Sequence, residues 1–450
     1  DTLFHIKIGE WIIQNKMFPT VDMFSMHENL SYSAYAYGFD IILYLIYKAL
    51  GFKGLVLFKY LFWYTIILMS SYFVYKLSKS DNVFYSLIVT GIIILGFTFK
   101  NIRPHMISYM ILIIQLYIMN KWAKNKESKI IYLIPITFLI LNNLHAGVFP
   151  YHFFVVGAFG IELLMTYDKK INFHNFLKDK IFYRCLLILL LSFGSMGINP
   201  YFPGIFKFSL GTLENKFTPY IAEWQTPPIS AIMVLLLVAF VIIRFLDLNK
   251  TPLTNVFNAI VAFALAVNSS RFIPYMAITL LFLTPYCTFP KIELKIINKF
   301  YENKLNRMLT TLLIAIASVF ILFLNIKTTP AIINWEFNEA EYPVKIVEYM
   351  KENNINTNIY NNYNDGAFLL FNDIKVFIDP RCDLYSSEFN DTEVIDDYLA
   401  VANGKPLSTI MDKYNLEYAL INSIDKRLLD DLENYEVLIE DEHYSLIKYK

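Results

Sequence analysis

The sequence predicts a mostly α protein: a polytopic helical membrane bundle with a C-terminal soluble α/β domain. Three observations carry that fold class. Of 450 residues, 56% are hydrophobic and only 17% charged, with a mean hydropathy of +0.42, whereas soluble domains carry about 25% charged residues. Long apolar runs recur through the first three quarters of the chain, as membrane spans require. The charge is also segregated. Residues 336–450 hold 24 acids and 10 bases, whereas residues 1–335 hold 15 acids and 29 bases, so the zero net charge hides a basic body and an acidic tail. A disordered chain and an ordinary cytosolic enzyme are both excluded.

Residues 1–53 read as a first extracytoplasmic loop with an interfacial helix, because the apolar run Tyr37–Leu50 falls short of a span of about 20 residues. Residues 54–330 read as a transmembrane bundle, with ten candidate spans at 54–79, 84–99, 107–122, 129–145, 148–167, 182–198, 229–248, 253–270, 272–289 and 303–327. One set of alternate loops, which includes Lys124, Lys178 and Lys299, holds 18 Lys and Arg. The opposite set holds 9, counting the N-terminal segment. The positive-inside rule puts the first set in the cytoplasm and both chain ends outside. Insertion of a chain that starts outside at Asp1 is simplest if another span precedes it, for about eleven in all. The expected location is therefore the cell membrane, multi-pass, with the tail extracytoplasmic.

Residues 336–450 read as an acidic α/β domain. Helical patterns fall near 342–351, 392–401, 407–414 and 425–432, and strand-like runs at 358–360, 376–378, 418–421, 436–439 and 444–448. Cys185, Cys287 and Cys382 are too scattered for a disulfide framework or a metal-type spacing.

Sidedness sorts the polar chemistry. The cytoplasmic loops are plain Lys/Asn linkers. The outer side holds DTLFH (1–5), PTVDMFS (19–25), NIRPH (101–105), NNLHAG (142–147), NPY (199–201), EWQTPP (223–228) and SSRFIP (269–274), so that face is the expected working face. Arg103 and Arg271 stand at the boundary of apolar runs. They can snorkel to headgroups, or grip a lipid-linked phosphate with a bidentate fork. Trp224 is either an aromatic-belt anchor or a sugar platform, and His145 either a satisfied helix-end residue or a substrate contact.

A carboxylate is also needed to take the proton of an incoming hydroxyl. Seven acids before the tail face outward: Asp1, Glu10, Asp22, Glu28, Asp40, Glu214 and Glu223. Asp1, Asp22 and Glu223 lie beside aromatic or Pro residues that can fix a loop. Asp1, directly after the inferred span, would lie deepest; Asp22 is the second choice, as base or acceptor-positioning group. In the tail, NYNDGAFLLF and VFIDPRCDLY (362–385) read either as a Gly turn with a core strand or as a loop whose Asp365, Asp379 or Arg381 contacts the acceptor. No P-loop, helix-opening GxGxxG, HExxH or GxSxG occurs, which disfavours an ATPase or a nucleotide-sugar enzyme.

In their order along the chain, DTLFHIKIGEWI, FPTVDMFSM, NIRPHMISY, NLHAG, NPYFPGIF, IAEWQTPP, RFIP, YNDGAFL and FIDPRCDLY resemble the GT-C class of integral-membrane glycosyltransferases. The resemblance is to bacterial relatives of protein mannosyltransferases and lipid A aminoarabinose transferases. It implies transfer of a sugar from a polyprenyl-phosphate-linked donor to an extracytoplasmic acceptor, whether protein, lipid or glycan, with Asp1 in the place of the catalytic carboxylate. The pattern departs from the mannosyltransferases, where an acidic pair precedes the histidine; here Thr2 follows Asp1 and His5 stands four residues on. NDG (364–366) loosely resembles the WWDYG motif of oligosaccharyltransferases, but the tryptophans are absent and sequon recognition is not carried over.

The expected site is thus catalytic Asp1 and Asp22, phosphate-binding Arg103 and Arg271, and substrate-binding His5, His105, His145, Glu223, Trp224, Asp365 and Arg381, with no metal ligands. No cofactor is required by the sequence, although a divalent metal ion stays open. The expected partners are the lipid-linked sugar, the acceptor and the bilayer, with no nucleic acid. The competing readings are a transporter or flippase for lipid-linked sugars and a non-catalytic membrane scaffold.

Overall fold

The computed structural model describes residues 2–78, 89, 91–92, 101–166, 179–211, 220–290, 303, 305, 309, 337–355, 357–422 and 434–450. The chain divides into two compact units. One comprises residues 1–52, 200–218 and 334–450, the other 53–199 and 219–333. The first loop and the acidic tail therefore share one unit.

In the first unit, the helix Thr2–Asn15 buries Leu3, Phe4, Ile6, Ile8 and Ile12. Reading residues 1–53 as a loop with a single helix overlooks it, because a 14-residue segment is too short to register as a span. Its Gly9 lies against the chain at Asp40, where a Cβ would sit 2.1 Å from the carbonyl oxygen. The run from Tyr37 continues into a 42-residue helix, Tyr37–Ser78, that kinks at Gly51 (φ 61°, ψ −155°), a conformation open chiefly to glycine.

The tail forms a four-stranded sheet of order β1-β2-β4-β3, with β1 Ile359–Tyr360, β2 Tyr418–Asn422, β3 Tyr435–Glu440 and β4 Tyr444–Tyr449. β1 runs parallel to β2, and the remaining pairs are antiparallel. Inner strand β2 buries Ala419, Leu420 and Ile421 completely, so its apolar residues run on without alternating. At the β3–β4 turn the Asp441 carboxylate accepts the N–H groups of His443 and Tyr444 at 2.8 and 2.7 Å, a local bond that favours a turn. Helices occur at Val344–Glu352, Gly366–Phe371, Val394–Ala402 and Ser408–Lys413. The helix expected at 425–432 lies outside the described residues. The expected strand 376–378 is not a strand: Val376 makes only isolated bridges, to Ser25 and Ile359. The first loop is stitched to this edge. Met26 N donates to Val376 O at 2.9 Å, His27 Nε2 meets Phe377 O at 2.8 Å, and Ser31 N donates to the Asn390 side chain at 2.8 Å.

The second unit is helical. Among the described residues four helices are long and apolar enough to cross a membrane: Tyr37–Ser78, His105–Lys124, Ala146–Met165 and Lys180–Ile198. Lys129–Leu144, Ile229–Phe245 and Leu253–Asn268 are apolar but shorter, and the expected span 272–289 is a nine-residue helix, Ile273–Leu281, followed by a 3-10 turn. Most of the expected spans 84–99 and 303–327 lies outside the described residues.

Polarity in this unit is turned inside out. Ile229, Met233, Leu237, Phe240 and Ile243 are more than 60% exposed, whereas Ser108, Gln115, Asn120, Asn142, Asn255 and Asn258 are buried. A hydrocarbon surround favours that arrangement, since apolar surface costs nothing there and polar groups must pair with one another. Asn120 and Asn255 exchange amide hydrogen bonds at 3.0 and 2.8 Å, and Tyr286 donates to Asn120 at 2.6 Å. Gln115 donates to Thr137 at 3.0 Å and meets His152 Nδ1 at 2.7 Å.

Candidate functional site

Proline places the arginines. Pro104 is the N-cap of His105–Lys124, and Pro274 lies in the first turn of Ile273–Leu281, positions where its missing N–H costs nothing. Each arginine therefore stands two residues before a helix start, where the helix dipole favours an anion, although the N–H groups of Met106, Ile107 and Ile273 are already taken by backbone carbonyls.

At this end of the second unit lies a cavity of about 20 Å³, lined by Asn101, Arg103, His105, Met106, Tyr109, Glu223 and Arg271. Arg103 Nη1 donates to both carboxylate oxygens of Glu223 at 2.6 Å. Arg271 Nε donates to His105 Nε2 at 2.8 Å, and its guanidinium lies over the Trp224 ring at 5.0 Å. Among the described residues no carboxylate lies within 4 Å of Arg271. Because Arg271 is the donor, His105 Nε2 must present a lone pair, so this imidazole is neutral. The His105 and His145 rings are 4.6 Å apart, and His145 Nδ1 meets the Ser108 hydroxyl at 2.5 Å. Behind the cavity Tyr109 packs edge-on against Tyr275 at 5.1 Å.

Six expected site residues, Arg103, His105, His145, Glu223, Trp224 and Arg271, thus come together from segments far apart in sequence. Asn101, Met106 and Tyr109 were not expected there; Tyr109 shares a helix face with His105 four residues earlier, a signal that was available. The asparagines of NPY and NNLHAG instead tie two segments together: Asn199 donates to Asn142 O at 2.6 Å, and Asn142 to Ser195 at 2.8 Å.

The expected residues of the first unit form other groupings. Arg381 donates from Nε and Nη2 to Asp379 at 2.9 and 2.6 Å and from Nη1 to Asp22 at 2.5 Å. It also packs over the rings of Phe24 and Tyr32. Tyr385 donates to Asp379 at 2.5 Å, and the N–H of Ser25 to Asp22 at 2.8 Å. Burial pushes the Asp22 carboxyl up, but the Arg381 charge and the Ser25 bonds outweigh it and hold its pKa below the ordinary value. A carboxylate so occupied, with reduced basicity, anchors a loop rather than abstracting a proton. Asp379 and Tyr385 are the partners that complete this knot.

His5 is buried, with Nδ1 2.6 Å from Asp40. Asp365 is 4% exposed and bonded to Tyr444. Gly366 lets its helix touch the chain at Ile378, where a Cβ would sit 2.2 Å from the carbonyl oxygen. Asp1 lies outside the described residues, as does Glu214. Among the described residues, no group of three His, Cys, Asp or Glu could hold a metal ion. No protein-family model matches the chain, and no curated protein matches it.

Proposed function

We propose that the chain is a membrane glycosyltransferase that moves a sugar from a polyprenyl-phosphate-linked donor to an extracytoplasmic acceptor. Arg271 carries the reading. Its Nε is tied to His105 and its face rests on Trp224, which together orient a guanidinium fork beside a small cavity. A phosphate oxygen pair suits such a fork, and two helix starts add to the positive field. Trp224 supplies aromatic surface for the sugar or the first isoprene units. Arg103, already paired with Glu223, adds a second cation.

The base in this proposal is Asp1, assigned from the sequence alone. It takes the acceptor hydroxyl proton as the acceptor oxygen bonds to the anomeric carbon. The bond from that carbon to the phosphate oxygen breaks, and polyprenyl phosphate leaves with the electron pair.

The test uses full-length protein in detergent with a polyprenyl-phosphate sugar. A charge-assisted contact contributes about 1.5–3 kcal/mol, so Arg271→Ala should weaken donor binding by about tenfold to a hundredfold, and Arg271→Lys should restore only part. Asp1→Asn should keep donor binding and lose turnover by about 10²–10⁴-fold. Unchanged donor affinity in Arg271→Ala overturns the phosphate assignment, and lipid translocation without bond cleavage replaces the transferase with a transporter.

A further inference from the structure

We propose that Glu223 sets how much negative charge the cavity accepts, so that the site selects a singly charged phosphodiester over a doubly charged diphosphate. This rests on the donor reading above and names the residue that determines its specificity. Of the lining side chains, Arg103 and Arg271 are cationic, Glu223 is anionic, and His105 is neutral because it accepts from Arg271. Two guanidiniums and one carboxylate leave a single positive charge. Arg103 and Glu223 are 26% and 25% exposed, so water screens them only in part.

A phosphodiester joining a sugar to a lipid carries one negative charge, which that balance matches. A diphosphate diester carries two. Its second charge would find one cation already paired with Glu223 at 2.6 Å and would meet the carboxylate itself. Glu223 is also held from behind. It sits in the 3-10 turn Ala222–Trp224, and its carbonyl accepts from the Ser269 hydroxyl at 3.3 Å. Like-charge juxtaposition of this kind is a general route to rejecting a near-identical ligand.

The experiment measures binding of farnesyl methyl phosphate, with one charge, and farnesyl methyl diphosphate, with two, to the full chain in neutral detergent. Wild type should prefer the monophosphate diester, and Glu223→Gln should move the ratio toward the diphosphate by about tenfold or more. Glu223→Asp, which keeps the charge, should hold the wild-type ratio. Arg103→Gln combined with Glu223→Gln removes one charge of each sign and should also hold it. That double variant separates charge-setting from a purely structural role, and carries the test if Glu223→Gln alone fails to fold.

An unchanged ratio in folded Glu223→Gln, or a lost preference in the double variant, overturns the inference while binding that depends on Arg271 leaves the donor reading standing. If neither probe binds wild type, the donor reading itself falls. If phosphatidylglycerol, also a phosphodiester, binds as tightly as the farnesyl diester, the site is a headgroup site and the donor reading falls with it.

Discussion

Arg381 and Arg271 are both guanidiniums set among aromatic rings, yet only the first is neutralised by carboxylates. Arg381 in the first unit meets two carboxylates, Asp22 and Asp379, and its side chain is 3% exposed. Its surroundings carry more negative charge than it can cancel, and Tyr385 O–H and the Ser25 N–H take up the remainder. Arg271 in the second unit meets a neutral imidazole and an indole face. The same residue type therefore stands in two different electrostatic settings. A saturated, buried guanidinium fixes backbone that comes from distant parts of the chain, whereas a half-buried one without a carboxylate keeps capacity for an anion from outside. The partners separate the two roles; the exposure alone does not.

The largest expected effect breaks that comparison on the structural side. Arg381→Ala leaves the Asp22 and Asp379 carboxylates buried without their cation, and breaking a buried pair in this way costs about 3–5 kcal/mol. Arg381→Lys should recover only part, since one ammonium cannot reproduce the three guanidinium contacts. Thermal unfolding of the full-length protein in detergent, followed by near-UV circular dichroism, reads both. Arg271→Ala should cost less in the same assay, about 1 kcal/mol, because it removes one hydrogen bond to His105 and strands no buried charge. Equal destabilisation by the two alanine variants would erase the distinction between them.

A second, smaller effect sharpens it. Gly366→Ala would put a methyl 2.2 Å from Ile378 O and 2.7 Å from the Asp379 Cα. Backbone cannot yield as a side-chain tip can, so the helix Gly366–Phe371 must shift, at about 1–3 kcal/mol. Because Asp379 moves with that contact, the penalty should couple to Arg381. Chemical denaturation of the double variant should show less loss than the two single losses added. Full additivity would mean that Gly366 supports something other than the knot.

How much of this was legible in the sequence depends on the range of the interaction. Local signals read well: three of the four tail helices and the sheet strands β1–β4 follow from apolar pattern and turn residues, and Pro104 and Pro274 mark helix starts. The gathering of Arg103, Arg271, Glu223 and His105 could be listed as outer-side polar residues, but their pairing could not be read, since Arg103 and Glu223 are 120 residues apart. The same limit hid the partnership of Asp22 with Arg381 across 359 residues, which turns a candidate base into a loop anchor. Residues 376–378 look like a strand because they are apolar, but what they edge is the first loop. Asp40 reads in sequence only as one of seven outward-facing acids; its bond to His5 depends on the close approach at Gly9, which no spacing announces.

The smallest expected effect is a pH dependence on the saturated side of the comparison. Burial lowers the His27 pKa from its ordinary 6.5, and the Phe377 carbonyl, Asp22 and Asp379 offset only part of that shift. The carbonyl at 2.8 Å fixes the neutral form with its proton on Nε2. A group with a depressed folded pKa contributes its full stability above the unfolded value and loses it as pH falls toward the folded one. Stability should therefore be flat above about pH 6.5 and decline below it, by at most about 1.4 kcal/mol per pH unit for the one proton. Asp22, also depressed, from 3.8, should add a second decline only below about pH 3.8. His27→Gln should remove the first decline and leave the second. Unfolding midpoints of both proteins across pH 3–8 check this: a wild-type profile flat through pH 5, or a decline that survives His27→Gln, would assign the acid sensitivity to another group.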